Sequence, residues 1–321
     1  MTRWPAEWEP HSALWIGYPG DPAEWPVALS QARVEVAALA ELMAAGERTV
    51  LVCRIHADAA DASARVTGAV EVVVRPFGDV WLRDTGPLVV EADGRRVARR
   101  FAFNGWGGKY VMSGDESVGA LLAADLGLPV ATDALVLEGG AIDTDGAGLA
   151  VTTEQCLLNP NRNPGWSRDA IEGRLRERLG IERLLWLGEG LANDHTDGHV
   201  DNLARFVAPG VLALPVAAQD DPNAAVYADA RARAAEWPVR VVDIPSPGRV
   251  ERNGEVQPAS HMNFLIGDAT VAVPTYGTGT DEAAVAALAA LFPDREVVGV
   301  RADGLLSGGG SLHCASMQVV G

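Results

Sequence analysis

The fold class follows first from NDHTDGHVDN, residues 193–202, which runs directly into the apolar segment LARFV at residues 203–207. Ionisable side chains therefore crowd the start of a segment that is typical of a buried strand. Small or acidic residues also adjoin strand-like segments at four other places: Arg83-Asp84, Glu138-Gly139-Gly140, His261-Met262-Asn263 and His313-Cys314. Taken at residues 84, 138, 199, 263 and 314, these junctions lie 51 to 64 residues apart. The spacing predicts about five related strand-turn-strand-helix modules that close around an axis, as fixed-period units do in propeller-like folds.

Any α/β protein repeats on this length scale, but the polar residues at every junction favour the modular interpretation. Periodicity near 3.6 predicts helices at Val27–Ala45, Ala57–Thr67, Ser117–Leu126, Ser167–Leu179, Asn223–Glu236 and Asp281–Leu291. Valine-rich runs bounded by Gly or Pro predict strands at Ala13–Ile16, Thr49–Arg54, Val70–Val74, Pro87–Val90, Leu135–Leu137, Leu149–Thr153, Asn202–Val207, Val211–Val216, Val239–Val242, Asn263–Ile266, Thr270–Val273 and Glu296–Val300. The class is α/β or mixed α+β. Because no linker or block of like charge divides the chain, we expect a single catalytic domain over residues 1–321.

The composition excludes several classes of function. The chain has 321 residues, with 26 Lys and Arg against 43 Asp and Glu, and a formal net charge of −17. Such an acidic surface repels nucleic-acid phosphates and anionic lipid headgroups, and it favours cationic small molecules. We therefore expect no nucleic-acid partner and no membrane partner, while a homo-oligomer is left open.

The opening residues, the length of the apolar stretches and the cysteine usage together predict a cytoplasmic protein. The opening MTRWPAEWEPHS lacks the apolar core of a signal peptide. The longest apolar stretch, Ala283–Phe292, is shorter than the ~20 residues of a membrane helix. Three scattered cysteines, Cys53, Cys156 and Cys314, are too few for a disulfide framework or a four-thiolate zinc site. One reactive thiol is compatible with this pattern.

Cys314 is the candidate nucleophile. It follows three consecutive glycines, residues 308–310, which are expected where backbone approaches a ligand or adopts positive φ. A thiolate is the nucleophilic form of cysteine, and neighbouring positive charge would lower its pKa. Cys53 and Cys156 lie in apolar runs and are interpreted as packing residues. If residues 312–316 are extended, His313 and Cys314 point in opposite directions, and the base must come from elsewhere.

His199 is the candidate general acid and base. On an extended stretch, Asp197, His199 and Asp201 would share one face, and an imidazole between carboxylates can hold a proton near neutral pH. Two alternatives compete with this interpretation. His195 and His199 could bind a metal, although Gly198 argues against the helix that their spacing requires. The segment could also be a hydrogen-bonded surface turn.

Three further segments combine acidic, aromatic and glycine residues. Asp84 and Trp81 lie in DVWLRDTGP at residues 79–87, where a carboxylate could bind a planar guanidinium against an indole wall. A local Arg83–Asp84 ion pair is an equally common outcome for such a pattern. Glu138 precedes two glycines, and Trp106 lies within FNGWGGK at residues 103–109. Each could be a tight turn, yet glycine beside a carboxylate or an aromatic ring also makes room for a ligand.

Eight segments, in order along almost the whole chain, resemble the agmatine deiminase and bacterial peptidyl-arginine deiminase family. They are residues 4–11, 81–87, 103–110, 137–140, 159–164, 196–202, 258–264 and 308–314. The resemblance implies the pentein fold, an α/β propeller of five ββαβ-type modules around a pseudo-fivefold axis. It also implies hydrolysis without a cofactor or metal, in which a guanidinium becomes a ureido group and ammonia leaves.

The resemblance also implies a role for individual residues. Cys314 matches the nucleophile and His199 the general acid and base, while Asp84 and Asp201 match the carboxylates that grip the guanidinium. Glu138 matches an acidic active-site position. The substrate-binding positions are completed by Trp81, Trp106, His195 and Gly309.

The chain departs from the family pattern beside its catalytic histidine. Asp194-His195 replaces two acids, and Ser311 stands where asparagine is usual. Residue 195 is expected to face the distal end of the substrate, so its identity bears on specificity. Agmatine is the expected substrate. The alternatives are deimination of peptidyl-arginine or free arginine, transfer of an amidino group, a metal-dependent amidohydrolase using His195 and His199, and a non-catalytic ribosome-binding pentein.

Overall fold

The computed structural model describes residues 2–252 and 254–321. Over these residues the strands are β1 Thr2–Arg3, β2 His11–Gly17, β3 Thr49–Cys53, β4 Glu71–Val74, β5 Leu88–Ala92, β6 Arg95–Ala102, β7 Val130–Val136, β8 Ile142–Thr144, β9 Leu149–Thr153, β10 Arg183–Leu187, β11 Arg205–Ala208, β12 Val211–Val216, β13 Arg240–Pro245, β14 Glu251–Arg252, β15 Glu255–Val256, β16 Leu265–Ile266, β17 Thr270–Thr275, β18 Glu296–Arg301 and β19 Ser316–Val320. The α-helices are α1 Leu29–Ala44, α2 His56–Arg65, α3 Leu82–Thr85, α4 Gly105–Gly108, α5 Asp115–Asp125, α6 Glu154–Leu157, α7 Arg168–Leu179, α8 Ala224–Ala234, α9 Asp281–Ala289 and α10 Asp303–Leu306. Two 3₁₀ turns span Gly139–Ala141 and Val200–Asn202.

Five sheets share one connection order. In each, two antiparallel strands are followed by a helix and then by a third strand parallel to the second. The five sets are β5-β6-α5-β7, β8-β9-α7-β10, β11-β12-α8-β13, β16-β17-α9-β18 and β19-β2-α1-β3. The last set joins the two ends of the chain, because β19 pairs with β2. Strands β1 and β4 extend two of the sheets, and β14 and β15 form a separate hairpin.

The β16-β17-α9-β18 sheet shows why this sequence adopts the arrangement. Every residue of β17 is buried, as expected for a strand covered on both faces. Helix α9 begins with Asp281 and Glu282, whose negative charges interact favourably with the helix N-terminus. Its buried residues, Ala284 and Leu288, are four positions apart and so lie on one face of the helix.

Buried apolar side chains form three clusters. The largest contains Cys314, Trp81 and Trp106, so the residues predicted to form a site are continuous with the core. Val200, which follows His199, belongs to the second cluster. The site residues are therefore fixed by packing on two sides.

The mixed α/β class and all six predicted helices are confirmed, with starts shifted by at most two residues. Over the described residues, seven observed strands were not predicted, namely β1, β6, β8, β10, β14, β15 and β19. Strand β6, RRVARRFA, contains four arginines and so lacks the apolar run from which strands were predicted. Arginine is nevertheless compatible with a strand, because its long cationic side chain can extend from the sheet into solvent. Two local expectations are wrong: residues 312–315 form turns, and residues 200–202 form a 3₁₀ turn where a strand was predicted to begin.

The helices among the described residues include none that is both long enough and apolar enough to cross a membrane.

Candidate active site

A cavity of about 210 Å³ is lined by turns and loops from segments that are far apart in the sequence. Its buried end is formed by Trp81, Asp84, Trp106 and Cys314, whose exposed fractions are 4 to 6%. Its mouth is formed by more exposed residues, Glu24, Tyr110, His195 and Ser307. These two sets of residues are the buried end and the mouth of the cavity.

The three glycines before Cys314 allow close packing against two indole rings. A Cβ at Gly308 would lie 2.4 Å from the Trp25 ring, and one at Gly310 would lie 2.6 Å from the Trp81 ring. Gly309 has φ +103° and lines the cavity. A side chain at any of the three positions would therefore clash or strain the backbone.

Asn263 fixes Cys314 in place. Its Oδ1 accepts from the backbone nitrogens of His313 and Cys314, at 3.0 and 3.2 Å, while its Nδ2 lies 3.1 Å from the Cys314 Sγ. The same Sγ is 3.5 Å from Asp201 Oδ2. Burial, followed by the negative charges of Asp201 and Asp84, raises the pKa of Cys314 well above its usual value. The groups around Cys314 therefore favour the thiol over the thiolate.

The catalytic candidate His199 is fully buried beside these groups. Asp197 and Gly198 adopt positive φ, so the chain turns sharply before His199 instead of extending. Nδ1 of His199 is 3.7 Å from Asp84 Oδ1. Burial lowers the pKa of His199, but the Asp84 carboxylate, the Cys156 thiol and Glu138 together raise it well above the usual value. His199 thus retains a proton that it can donate.

Asp197 does not share a face with His199, contrary to the expectation for an extended segment. Its carboxylate accepts from Lys109 Nζ at 2.7 Å and from Arg162 Nη1 at 2.7 Å. Asn161 Nδ2 donates to it as well. Asp197 therefore anchors the turn, and the groups near His199 come from other segments.

Asp84 and Asp201 converge with His199 around Gly140. A Cβ on Gly140 would lie 2.6 Å from His199 Nδ1, 3.0 Å from Asp84 Oδ1 and 3.1 Å from Asp201 Oδ2. The second glycine of the 138–140 segment is thus required by the site, since any side chain would occupy the space between these polar atoms. The junctions at residues 84, 138–140, 199–201 and 314, although far apart in sequence, meet here.

The two aspartates differ in their hydrogen bonding. Asp84 Oδ2 accepts from Trp106 Nε1 at 2.9 Å, and its Oδ1 accepts from the Gly140 backbone nitrogen at 3.0 Å. Asp201 Oδ2 accepts from His313 Nδ1 at 2.8 Å, whereas its buried Oδ1 has no hydrogen-bond partner among the described residues. Asp84 is therefore held by neutral donors, and Asp201 is held by an imidazole.

Their pKa values shift in opposite directions. Burial raises the pKa of Asp84, and the lowering effect of His199 does not overcome the raising effects of burial, Asp201 and Glu138. Burial also raises the pKa of Asp201, but the hydrogen bond and charge of His313, together with the charges of His199 and Arg205, outweigh burial, so this pKa is lowered. Asp201 is therefore the carboxylate that most firmly keeps its negative charge.

Glu138 lies beside His199, and neither of them nor Asp201 lines the cavity, whose buried end is reached through Asp84 and Cys314. Glu138 Oε1 accepts from Arg162 Nε at 2.6 Å, and its Oε2 has no partner among the described residues. The alternative of a local Arg83–Asp84 ion pair is wrong, because the buried Arg83 donates to Gln318 Oε1 at 2.6 Å.

Aromatic and cationic side chains surround Tyr110 and His195 at the mouth and Trp81 at the buried end. The rings of Tyr110 and His195 stack with centroids 6.0 Å apart, and the Tyr110 hydroxyl is 3.3 Å from His195 Nδ1. Lys109 Nζ donates to the His195 carbonyl at 2.5 Å. Trp25 packs on Trp81 at a centroid distance of 5.9 Å.

Comparison with known proteins identifies the family. A family model described as Porphyromonas-type peptidyl-arginine deiminase matches residues 3–319. The chain belongs to this family. It is 36% identical to a protein named agmatine deiminase from Stutzerimonas stutzeri, over 98% of this chain and 94% of the relative.

Solved structures of proteins named agmatine deiminase superpose on this family member along nearly its full length. The enzyme of Enterococcus faecalis gives a TM-score of 0.95 at 29% identity, covering 99% of this chain and 95% of that one. A C. jejuni agmatine deiminase with substrate bound gives 0.94 at 25% identity, covering 100% of this chain and 97% of that one. The fold of this chain is thus that of known guanidine-processing enzymes.

Sequence analysis gives no site role to Asn263, which holds Cys314, and it interprets as a packing residue another group that the structure places in the site, Cys156. Its thiol, Glu138 and His199 present polar atoms that lie within 4.8 Å of one another, the one such group of three potential metal ligands among the described residues. His195 is not part of it, so the structure does not bring His195 and His199 together as a metal pair. The apolar run around Cys156 concealed its position, because burial in a core and burial beside a catalytic ring produce the same local pattern.

Proposed function

We propose that this chain hydrolyses the guanidinium group of agmatine to a ureido group, releasing N-carbamoylputrescine and ammonia through a covalent adduct on Cys314. The convergence of the His199 imidazole with the Asp84 and Asp201 carboxylates around Gly140, with the Cys314 thiol beside Asp201 and lining the cavity, carries the proposal. Full-length similarity to proteins named agmatine deiminase supports it.

Binding would place the planar cation between Asp84 and Asp201, each of which can accept charge-assisted hydrogen bonds from its N–H groups. Trp81 and Trp106 supply flat walls, and cation–π attraction favours a guanidinium over an uncharged group there. The unpartnered Oδ1 of Asp201 provides a buried acceptor without a competing donor among the described residues. A buried acceptor without a donor costs free energy, and a bound cation would remove that cost.

Binding would also activate the thiol. Two carboxylates raise the pKa of Cys314 in the free enzyme. A cation bound between them offsets their charge, so the Cys314 thiol loses its proton to solvent and the thiolate forms in the complex, while His199 keeps its own proton.

The reaction then proceeds in two stages. Sγ of Cys314 attacks the guanidinium carbon, and His199 donates its proton to the departing nitrogen, which leaves as ammonia. The S-alkylthiouronium adduct that remains is attacked by water, from which His199 takes a proton. Collapse of this second intermediate breaks the C–S bond and forms the C=O bond of the ureido product, while the hydroxyl proton passes to sulfur. The Cys314 thiol and the protonated His199 are thus restored, and the released ammonia takes up the proton that Cys314 lost on binding.

A substrate panel tests the proposal. Agmatine, arginine, a peptide ending in arginine and a simple alkylguanidine would be assayed for ammonia and for ureido product. We expect agmatine to give the highest kcat/KM. Faster turnover of arginine or the peptide would instead assign arginine deimination, and failure to release ammonia from any guanidine would refute the proposal. Loss of activity on adding a chelator would favour a metal-dependent hydrolase.

We also propose the finer architecture, a pentein propeller in which the five modules surround a pseudo-fivefold axis within a single domain of residues 1–321. The shared connection order of the five sheets and the β19–β2 pairing of the two chain ends support it. The three unpaired cysteines support a reducing compartment such as the cytoplasm. An experimental structure with the five sheets in an open array would contradict the closed arrangement.

A further inference from the structure

We propose that His313 is a positioning residue for Asp201: as a buried imidazolium that bridges Asp201 to Glu7, it keeps the Asp201 carboxylate charged and oriented toward the guanidinium. The inference rests on the proposed function, because it assigns a task to the carboxylate that would bind the substrate. It concerns a side chain adjacent to the nucleophile that the chemistry above does not use.

Both nitrogens of His313 face carboxylates. Nδ1 lies 2.8 Å from Asp201 Oδ2, and Nε2 lies 2.9 Å from Glu7 Oε2. An ionised carboxylate only accepts hydrogen bonds, so a ring that satisfies both must donate from both nitrogens and carry a positive charge. The exposed fraction of His313 is 2%, which leaves no room for solvent to replace either partner.

The far carboxylate is itself firmly held. Glu7 Oε2 accepts from Arg205 Nη2 at 2.6 Å, and Glu7 Oε1 accepts from the Ile266 backbone nitrogen at 2.8 Å. Burial raises the pKa of Glu7, but Arg205, His313 and Arg83 lower it well below its usual value. Glu7 is thus a fixed negative charge that stabilises the imidazolium from behind.

The near carboxylate faces the reacting groups. The Asp201 oxygen that accepts from His313 is also 3.5 Å from the Cys314 Sγ, and the other oxygen, Oδ1, has no partner among the described residues. Because His313 holds Oδ2, rotation of the carboxylate is restricted and Oδ1 stays available for a guanidinium N–H.

The charges around this pair determine what loss of His313 would do. The charged or titratable groups around His313 include Glu7, Asp143 and Asp201, and Arg83, whose Nε donates to the His313 carbonyl at 3.4 Å. Those that act on Asp201 include Arg83, Asp84, His199, Arg205 and Cys314. The hydrogen bond from His313 is the largest of the effects that lower the pKa of Asp201 against its burial. Without it, the pKa of Asp201 rises, and the carboxylate takes up a proton at a higher pH.

The test is the pH profile of kcat/KM for agmatine with His313→Gln, which retains one neutral donor. We expect the acidic limb to move to higher pH, with a loss of about 10- to 100-fold near pH 6.5 that shrinks as the pH rises toward 9. A purely structural role would lower activity by the same factor at every pH. The matched control is His261→Gln: His261 is 1% exposed and bridges the Pro245 carbonyl and Asp281, and its ring lies outside the cavity lining. That variant should lose thermal stability while its pH profile keeps the wild-type shape.

Glu7→Gln provides a second variant if His313→Gln does not fold. Removing the charge behind the imidazolium should shift the acidic limb in the same direction by a smaller amount. A profile parallel to that of the wild-type enzyme in the folded variants would overturn the inference while leaving the proposed function intact. Absence of ammonia release by the wild-type enzyme would instead count against the proposed function itself.

Discussion

The buried end of the cavity and its mouth differ in how their polar groups are held. Asp84, at the buried end, accepts from an indole and a backbone nitrogen. Asp201, beside the Cys314 of that end, accepts from an imidazole. At the mouth, His195 is exposed and contacts Tyr110 across a single 3.3 Å polar contact. Electrostatic contacts are stronger away from water, so the chemistry is concentrated where side chains are fixed. On the proposed function, choice among guanidines falls to the mouth, where each exposed contact contributes little.

The largest effect is expected from Cys314→Ala, which removes the proposed nucleophile at the buried end. Turnover of agmatine should fall by about 10⁴-fold or more, as losses of covalent nucleophiles do. Steady-state ammonia release and mass spectrometry of the adduct would measure this. Cys53→Ala, a change at a buried cysteine outside the cavity, serves as the control and should keep turnover within a few-fold. Substantial activity of Cys314→Ala would remove Cys314 from the chemistry.

The next largest effect is expected from Asp84→Asn and Asp201→Asn, which keep shape and remove charge. Each should lower kcat/KM by about 10- to 150-fold, the equivalent of one lost charge-assisted hydrogen bond of ~1.5–3 kcal/mol. Asp221→Asn is a matched control, because Asp221 is 7% exposed and accepts from the backbone of Ala218 and Asn223. A value near that of the wild-type enzyme for either site variant would exclude that residue from guanidinium binding.

The labelling of Cys314 should depend on pH and on the charge of the reagent. The raised pKa of Cys314 means that the thiolate fraction of the free enzyme grows about tenfold per pH unit from pH 7 to 9, and neutral iodoacetamide should label it correspondingly faster. A cationic haloacetamidine should label it faster than iodoacetamide at pH 7 and with a weaker pH dependence, because the bound cation offsets the two carboxylates. Equal rates and equal slopes for the two reagents would contradict this assignment of the negative charges.

A smaller loss is expected from Trp106→Phe, which removes the indole donor to Asp84 Oδ2 and keeps an aromatic wall. Loss of one such bond to a buried acceptor should reduce kcat/KM for agmatine by about tenfold. Trp186→Phe removes another indole donor, the one to Glu172 on helix α7, and should leave kcat/KM unchanged. If Trp106→Phe had no effect, Asp84 would be held by the Gly140 nitrogen alone.

The smallest effect is expected at the mouth, from His195→Asp. An exposed ion pair contributes ~0.2–1 kcal/mol, so the KM for agmatine should fall by about two- to fivefold at most. The KM for arginine should rise, because the new carboxylate repels the carboxylate of that substrate. Initial rates with both substrates measure the two KM values. Identical responses of the two substrates would show that residue 195 does not contact the distal group.

Several features could be predicted from the sequence because they depend on residue type and local period. The six long helices follow from apolar spacing, and Cys314, His199, Asp84 and Asp201 were singled out by the glycines, turns and strands that surround them. The prediction failed where one local pattern is compatible with two structures. The 197–201 segment was expected to be extended, but positive φ at Asp197 and Gly198 turns it and directs Asp197 to Arg162.

By itself, then, the sequence determined which chemical groups the protein carries, the mixed α/β class and the spacing at which polar junctions interrupt it. Only the tertiary structure decided which groups touch. His313 meets Asp201 across 112 residues and Glu7 across 306, and Cys156 lies beside His199 although its surroundings in sequence are those of a core residue. Periodicity records only which face of an element is buried. The identity of the buried neighbour depends on how distant modules pack, and that neighbour determines the charge and the pKa of each group in the site.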